Sequence, residues 1–189
     1  MLGELIENRE KLHTRNIQLT TYHYTDSRVI IHGVLKDNLC TKTFDITGVE
    51  KKPGTLHHID VKLLINTNPL IIEDAEADMI YVPLSECHST IDTIEKLKGL
   101  EVKSGFSKKI RAIMGGKRGC SHLCNLIIVM AQEVVQGSLV QKRKEKSPVP
   151  DNIDSLADKE FLINSCRMWT EDGPKIKELK QAIAKHNRP

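Results

Sequence analysis

With 189 residues, 39% apolar and 28% charged, the chain has the make-up of an ordinary globular protein, long enough to bury a core without disulfide or metal staples. A formal charge of +3, with three Phe, three Tyr and one Trp, argues against nucleic-acid binding through a basic surface or a base-stacking platform. The opening MLGELIENREKLHTR has no apolar core of signal-peptide length. The longest unbroken apolar run, Leu126 to Ala131, falls far short of the ~20 residues of a membrane span. A cytoplasmic protein without nucleic-acid or membrane partners is expected. Its five cysteines are odd in number and widely spaced, so in a reducing compartment they are packed, metal-bound or reactive rather than disulfide-bonded.

Leu2, Ile6 and Leu12 predict a short, fraying helix within residues 1–12. From Asn16 the period changes to two. Ile17, Leu19 and Thr21 alternate with Gln18 and Thr20, and Val29, Ile30 and Ile31 follow the turn-forming Thr25-Asp26-Ser27, which predicts a hairpin. A third strand is expected over Thr43 to Thr47, before a Pro-Gly turn in Lys51 to Thr55. Ile59, Val61, Leu63 and Ile65 then share one face of a strand, Asn66-Thr67-Asn68-Pro69 turns the chain, and Leu70, Ile71 and Ile72 begin the return strand. These connections are too short for helical crossovers, so the pairing is antiparallel.

Helical spacing takes over after Pro83. Ser89 or Thr90 is placed to cap a helix carrying Ile91, Ile94 and Leu97, with Gly99 at its end. A second short helix fits Ser107 to Met114. The third, about 122–136, carries Leu123, Leu126, Ile127, Met130, Val134 and Val135 at i, i+3, i+4, i+7 spacing. Only Asn125, Gln132, Glu133 and Gln136 suit solvent, so this helix should be central and buried. The fold class is therefore α+β, an N-terminal antiparallel sheet of hairpins packed against a C-terminal helical layer. Residues 1–189 read as a single domain, with a sheet-rich part (1–82) and a helical part (83–137). An exposed linker (138–152) holds Lys142-Arg143-Lys144-Glu145-Lys146 and Ser-Pro-Val-Pro. A C-terminal segment (153–189) should pack back on the domain.

The chemistry concentrates before the third helix, in Gly115-Gly116-Lys117-Arg118-Gly119-Cys120-Ser121-His122. Ser121 is placed as an N-cap, which sets Cys120 at the positive end of the helix dipole beside Lys117 and Arg118, conditions that favour a thiolate. Cys120 and His122 are the candidate catalytic pair, with His57, oriented by Asp60 or Asp172, as a further base. Arg118, Gly119 and Ser121 are candidates for holding an anionic ligand, joined by Trp169 and Asp172 from the C-terminal segment. The turn lacks Walker A order, and Cys120-x-His122-x-Cys124 lacks zinc-finger spacing. A metal, Zn or Fe, would need ligands from elsewhere, and Cys87, Cys120, Cys166 and His57 are the candidates, with His58 and His88 beside two of them. Cys40 and Cys124 read as packed.

Three functions stay open. The first is a Cys/His-centred pocket binding a metal ion or a small anionic metabolite. The second is a thiol-dependent hydrolase or transferase using Cys120. The third is a non-catalytic scaffold or homo-oligomer, in which the glycines only end one helix and turn into the next and Cys120 is a small buried hydrophobe.

The order of motifs resembles a bacterial family catalogued as domain of unknown function 2889. The matching pieces are Leu12-His13-Thr14-Arg15, Leu35-Lys36-Asp37, Leu56-His57, Leu70-Ile71-Ile72-Glu73-Asp74-Ala75, Pro83 to Cys87, Lys98-Gly99-Leu100 and Ser104-Gly105-Phe106. Gly119-Cys120-Ser121-His122-Leu123 stands where the family reads GCTHL, and Asn164-Ser165-Cys166, Trp169 and Glu171-Asp172-Gly173-Pro174 resemble its closing motif. The resemblance spans about residues 12–178. Departures fall at Asp26-Ser27 in place of Asp-Gly, at Lys36-Asp37-Asn38 in place of Asp-x-Lys, and at His88 in place of proline. The resemblance implies that Cys87, Cys120, His122, Cys166 and His57 act together, and it implies no reaction.

Overall fold

Six strands and five α-helices follow one another in a computed structural model that describes residues 1–146, 148–156 and 159–187. Ser147 of the expected linker, and positions 157–158 and 188–189 of the expected C-terminal segment, lie outside the described residues. After α1 (Leu2–Ile6) come β1 (His13–Thr25), β2 (Arg28–Leu39), β3 (Thr43–Phe44), β4 (Glu50–Lys51), β5 (Gly54–Thr67) and β6 (Leu70–Tyr81). The long strands form one antiparallel sheet in the order β1-β2-β5-β6, while β3 and β4 pair as a small separate hairpin. The third strand stops at Phe44 rather than Thr47. There the Asp45 carboxylate accepts hydrogen bonds from the Thr47 and Val49 amides at 2.9 and 3.0 Å and from the Thr47 hydroxyl at 2.7 Å, which bends the backbone into a turn.

The alternation sets the inner face of the sheet. Val29, Ile31 and Leu35 of β2 and Ile59, Val61, Leu63 and Ile65 of β5 are all at most 1% exposed. The same phase continues to the strand ends, where Asp37 and His57 take up the inner positions. Burying this face is the main stabilising contribution, at roughly 2 kcal/mol for each aliphatic side chain removed from water.

The segment Ser85–Leu97 is a 3-10 helix, where an α-helix capped at Ser89 or Thr90 was expected. Those hydroxyls do not cap. Ser89, Thr90 and Thr93 each donate to the carbonyl three residues back, at 2.7 to 2.8 Å, which fits the tighter i to i+3 geometry. Helix α2 (Phe106–Met114) buries Phe106, Ile110 and Met114 one turn apart. A short turn, Gly116–Arg118, leads to α3 (Ser121–Lys142), 22 residues long.

Three contacts fix α3 along the sheet. His122 lies over Asp37, Met130 lies over Gly33, and Gly137 lies against Thr21, the β1 partner of Ile31. From His122 to Met130 the helix rises about 12 Å, and from Asp37 to Gly33 the strand spans about 13 Å. The helix therefore runs antiparallel to β2 with matched repeats. The approach needs bare backbone: a Cβ on Gly33 would stand 2.7 Å from Met130 Sδ, and one on Gly137 would overlap the Thr21 side chain. Thr21 Oγ1 also donates to Glu133 Oε1 at 2.6 Å, so a residue suited to solvent by type is tied to β1. By length and composition alone α3 could cross a membrane. Its Leu123, Leu126, Ile127, Met130 and Val134 are fully buried within this fold.

The chain divides into two compact units, Met1–Ser138 and Leu139–Pro189. In the second, Asn152 Oδ1 accepts from the Asp154 and Ser155 amides, both at 2.9 Å, and caps a 3-10 turn, Ile153–Ser155. Helix α4 (Lys159–Leu162) and a turn, Arg167–Trp169, precede α5 (Pro174–His186). Proline opens α5, and Ile176 and Ile183 are its buried residues.

Candidate metal centre

Strand register builds the site. Arg15 of β1 lies opposite Asp37 of β2, and Asp37 lies opposite His57 of β5, so three polar side chains form one row across three strands. The apolar phase of each strand directs that row to the inner face. His122, in the first turn of α3 and one turn before Leu126, comes down on the row from above.

Asp37 is the hub, at 1% exposure. Arg15 grips its carboxylate as a fork, Nε to Oδ1 at 2.7 Å and Nη2 to Oδ2 at 2.6 Å. Oδ2 also faces His57 Nδ1 at 3.3 Å and His122 Nε2 at 3.6 Å. The two imidazole rings stack, with centroids 3.7 Å apart and planes inclined by 29°. His57 Nδ1 is buried and has no hydrogen bond of proper geometry, although it lies within ion-pair distance of Oδ2. Asp37, His57 and His122 bring one ligand atom each to within 4.8 Å of one another, and among the described residues they are the group of this kind that converges.

The electrostatics favour an ionised carboxylate and neutral imidazoles. Burial alone would push Asp37 up, but the hydrogen bonds and charge of Arg15, with smaller help from the two histidines, hold its carboxyl below the usual range. Burial is the largest influence on His57 and outweighs the pull of Asp37, so its pKa is lowered. His122 is lowered too, first by burial and then by His57 and Arg15. The outcome is an ionised carboxylate beside two imidazoles that favour the neutral form, the protonation states a metal requires.

The residues singled out in the sequence fall in several places. His57 and His122 enter the converging group, and Cys120 sits beside it, with Sγ 3.9 Å from His122 Nδ1, the ring nitrogen other than the one facing Asp37. The Cys120 carbonyl accepts from the Cys124 amide at 2.9 Å, so Cys120 rather than Ser121 occupies the N-cap position. Arg118 turns back, its Nη2 donating to the Arg111 carbonyl at 3.0 Å near the end of α2, and Gly119 lies against Met114. Ser121 is exposed. Cys87, half-buried in the 3-10 helix, is not in the group of three. Asp60 accepts from Lys62 at 2.8 Å and bonds His32 at 2.6 Å, not His57. In the second unit Cys166 and Asp172 are exposed and Trp169 is half-buried.

Two residues of the site, Arg15 and Asp37, stand in the sequence only as parts of family motifs. The available signal was phase, since each is a charged residue at the end of an apolar alternation. The model of the family described as "Protein of unknown function (DUF2889)" matches residues 13–136. The chain belongs to this family. The matched stretch includes Arg15, Asp37, His57, Cys120 and His122, so the whole centre lies within the part the family shares. Comparison with curated proteins and with solved structures gives no match.

Proposed function

We propose that this member of the family is a metal-binding protein, in which Asp37, His57 and His122 hold one divalent transition-metal ion, Zn or Fe, and leave a coordination position open. The observation that carries the reading is a buried ring nitrogen, His57 Nδ1, that makes no well-directed hydrogen bond and faces, at 3.3 Å, the carboxylate oxygen that His122 Nε2 also faces. A neutral imidazole meets Oδ2 either with its N–H or with its lone pair; in the metal reading both rings present the lone pair, and the cation stands where those protons would. A tetrahedral ion with bonds of ~2.0–2.1 Å separates its ligands by roughly 3.3–3.4 Å. The 3.3 Å from His57 Nδ1 to Oδ2 equals that separation, and the 3.6 Å from His122 Nε2 is slightly longer. Each carboxylate oxygen has two lone pairs, so the Arg15 fork leaves Oδ2 able to ligate. Cys120, at Nδ1 of His122, then acts as an orienting partner of a ligand.

A second reading, thiol chemistry at Cys120, is favoured by the chain of contacts from Cys120 Sγ to His122 at 3.9 Å and on to Asp37 at 3.6 Å, an order that suits nucleophile, base and orienting carboxylate. The two readings separate in one preparation. Protein purified without a His tag is assayed for metal by mass spectrometry and for alkylation of Cys120 by iodoacetamide. Near-stoichiometric Zn or Fe, lost in His57→Asn, is the expected result. A metal-free, folded protein in which Cys120 alkylates much faster than a model thiol overturns the metal reading in favour of the thiol one.

A further inference from the structure

We infer that the ion held by Asp37, His57 and His122 takes a small oxyanion, a carboxylate or phosphate group, in its open position. This rests on the metal reading above and adds the class of ligand.

The charges of the shell carry the inference. Neutral imidazoles add nothing, and Asp37 adds one negative charge. Both oxygens of that carboxylate are forked by Arg15, at 2.7 and 2.6 Å, so ligands and partner sum to zero. A divalent ion there keeps its full double charge beside a carboxylate that is 1% exposed. Leaving such a charge uncompensated out of water is costly, and an anionic fourth ligand relieves it. Without Arg15 the same shell would already have cancelled half of the charge.

The surroundings point the same way. Besides Asp37, the charged neighbour acting on both histidines is the Arg15 cation of β1. The N-terminus of α3, a helix of 22 residues with no acidic side chain in its first turn, adds its partial positive charge at His122. A shell of two nitrogens and one oxygen favours a further oxygen donor over a soft ligand.

Full-length protein, stripped with chelator and loaded with Co(II), is titrated with sodium acetate and separately with inorganic phosphate while the visible absorption of the metal is recorded. A saturable change with either anion is expected, acetate alone marking a carboxylate site and phosphate alone a phosphate site. Arg15→Gln should still bind Co(II) but weaken the anion response by ~10-fold or more, about 1.4 kcal/mol. Arg15→Lys keeps the charge, so it should keep most of the response. One Co(II) per chain with a spectrum indifferent to both anions overturns this inference and leaves the metal site standing. No Co(II) bound by the folded protein overturns the metal reading and the inference with it.

Discussion

Arg15→Ala should cost more stability than Asp37→Asn, although the two residues form one ion pair. Asp37 is 1% exposed and Arg15 is 39% exposed. Removing the guanidinium takes away the carboxylate's permanent positive partner, and breaking a buried pair in this way costs about 3–5 kcal/mol. The part-exposed guanidinium screens some of the interaction, which places the expected loss near the lower end, about 3 kcal/mol. Asp37→Asn keeps the shape and leaves a guanidinium that can still reach solvent, so only the charge-assisted bonds are lost, about 1.5 kcal/mol. With a urea dependence of about 1–3 kcal/mol per molar, the two midpoints should differ by roughly 1 M. The gap also depends on pH. The folded pKa of Asp37 is depressed, so its pairing stabilises the protein above an unfolded value of about 3.9 and the benefit is lost as pH falls through the lower folded value. Urea unfolding of both variants at pH 7 and in acid, on chelator-treated protein, checks the argument. Equal losses, or a larger loss for Asp37→Asn, would refute the view that Arg15 is there to compensate a buried charge.

The two histidines give a separate pH signature: both folded pKa values are lowered, so below about 6.5 the unfolded chain takes up protons that the folded chain resists. Stability of the metal-free protein should therefore fall as pH drops from about 6.5. The slope should flatten in His122→Asn, and an unchanged slope in that variant would contradict the assignment. Gly137→Ala gains helix propensity but overlaps Thr21. It should destabilise by about 1–3 kcal/mol, with Thr21→Ala recovering part of the loss, as thermal or urea unfolding of the single and double variants would show. Additive losses would mean that the helix does not meet β1 at that point.

Much of the fold was legible because strand periodicity is local. The run Ile59, Val61, Leu63, Ile65 and the turn at Asn66 to Pro69 set out the β5–β6 hairpin without any knowledge of the rest, and the apolar spacing from Leu123 to Val134 did the same for α3. The Ser85–Leu97 segment was less legible, because its hydroxyls can cap an α-helix or bond three residues back, and residue type does not choose between them. The site divides in a similar way. His57 and His122 stand out by type. Their meeting with Asp37 and Arg15 depends on which residues oppose one another across β1, β2 and β5 and on where α3 crosses them, and both are properties of pairing rather than of any one segment. Cys120 shows the converse. Its place at the head of the helix could be read from the glycines and the apolar run, whereas its position behind His122 depends on how that ring turns toward the sheet.

The convergence of Asp37, His57 and His122 on one ion is tested most directly by equilibrium Zn titration of chelator-stripped wild-type protein and of Asp37→Asn, His57→Asn and His122→Asn. One Zn per chain in the wild type, with each variant weakened by more than ~100-fold while remaining folded by circular dichroism, is the expected result. Wild-type protein that binds no Zn, or variants that bind it as tightly as the wild type, would contradict the assignment.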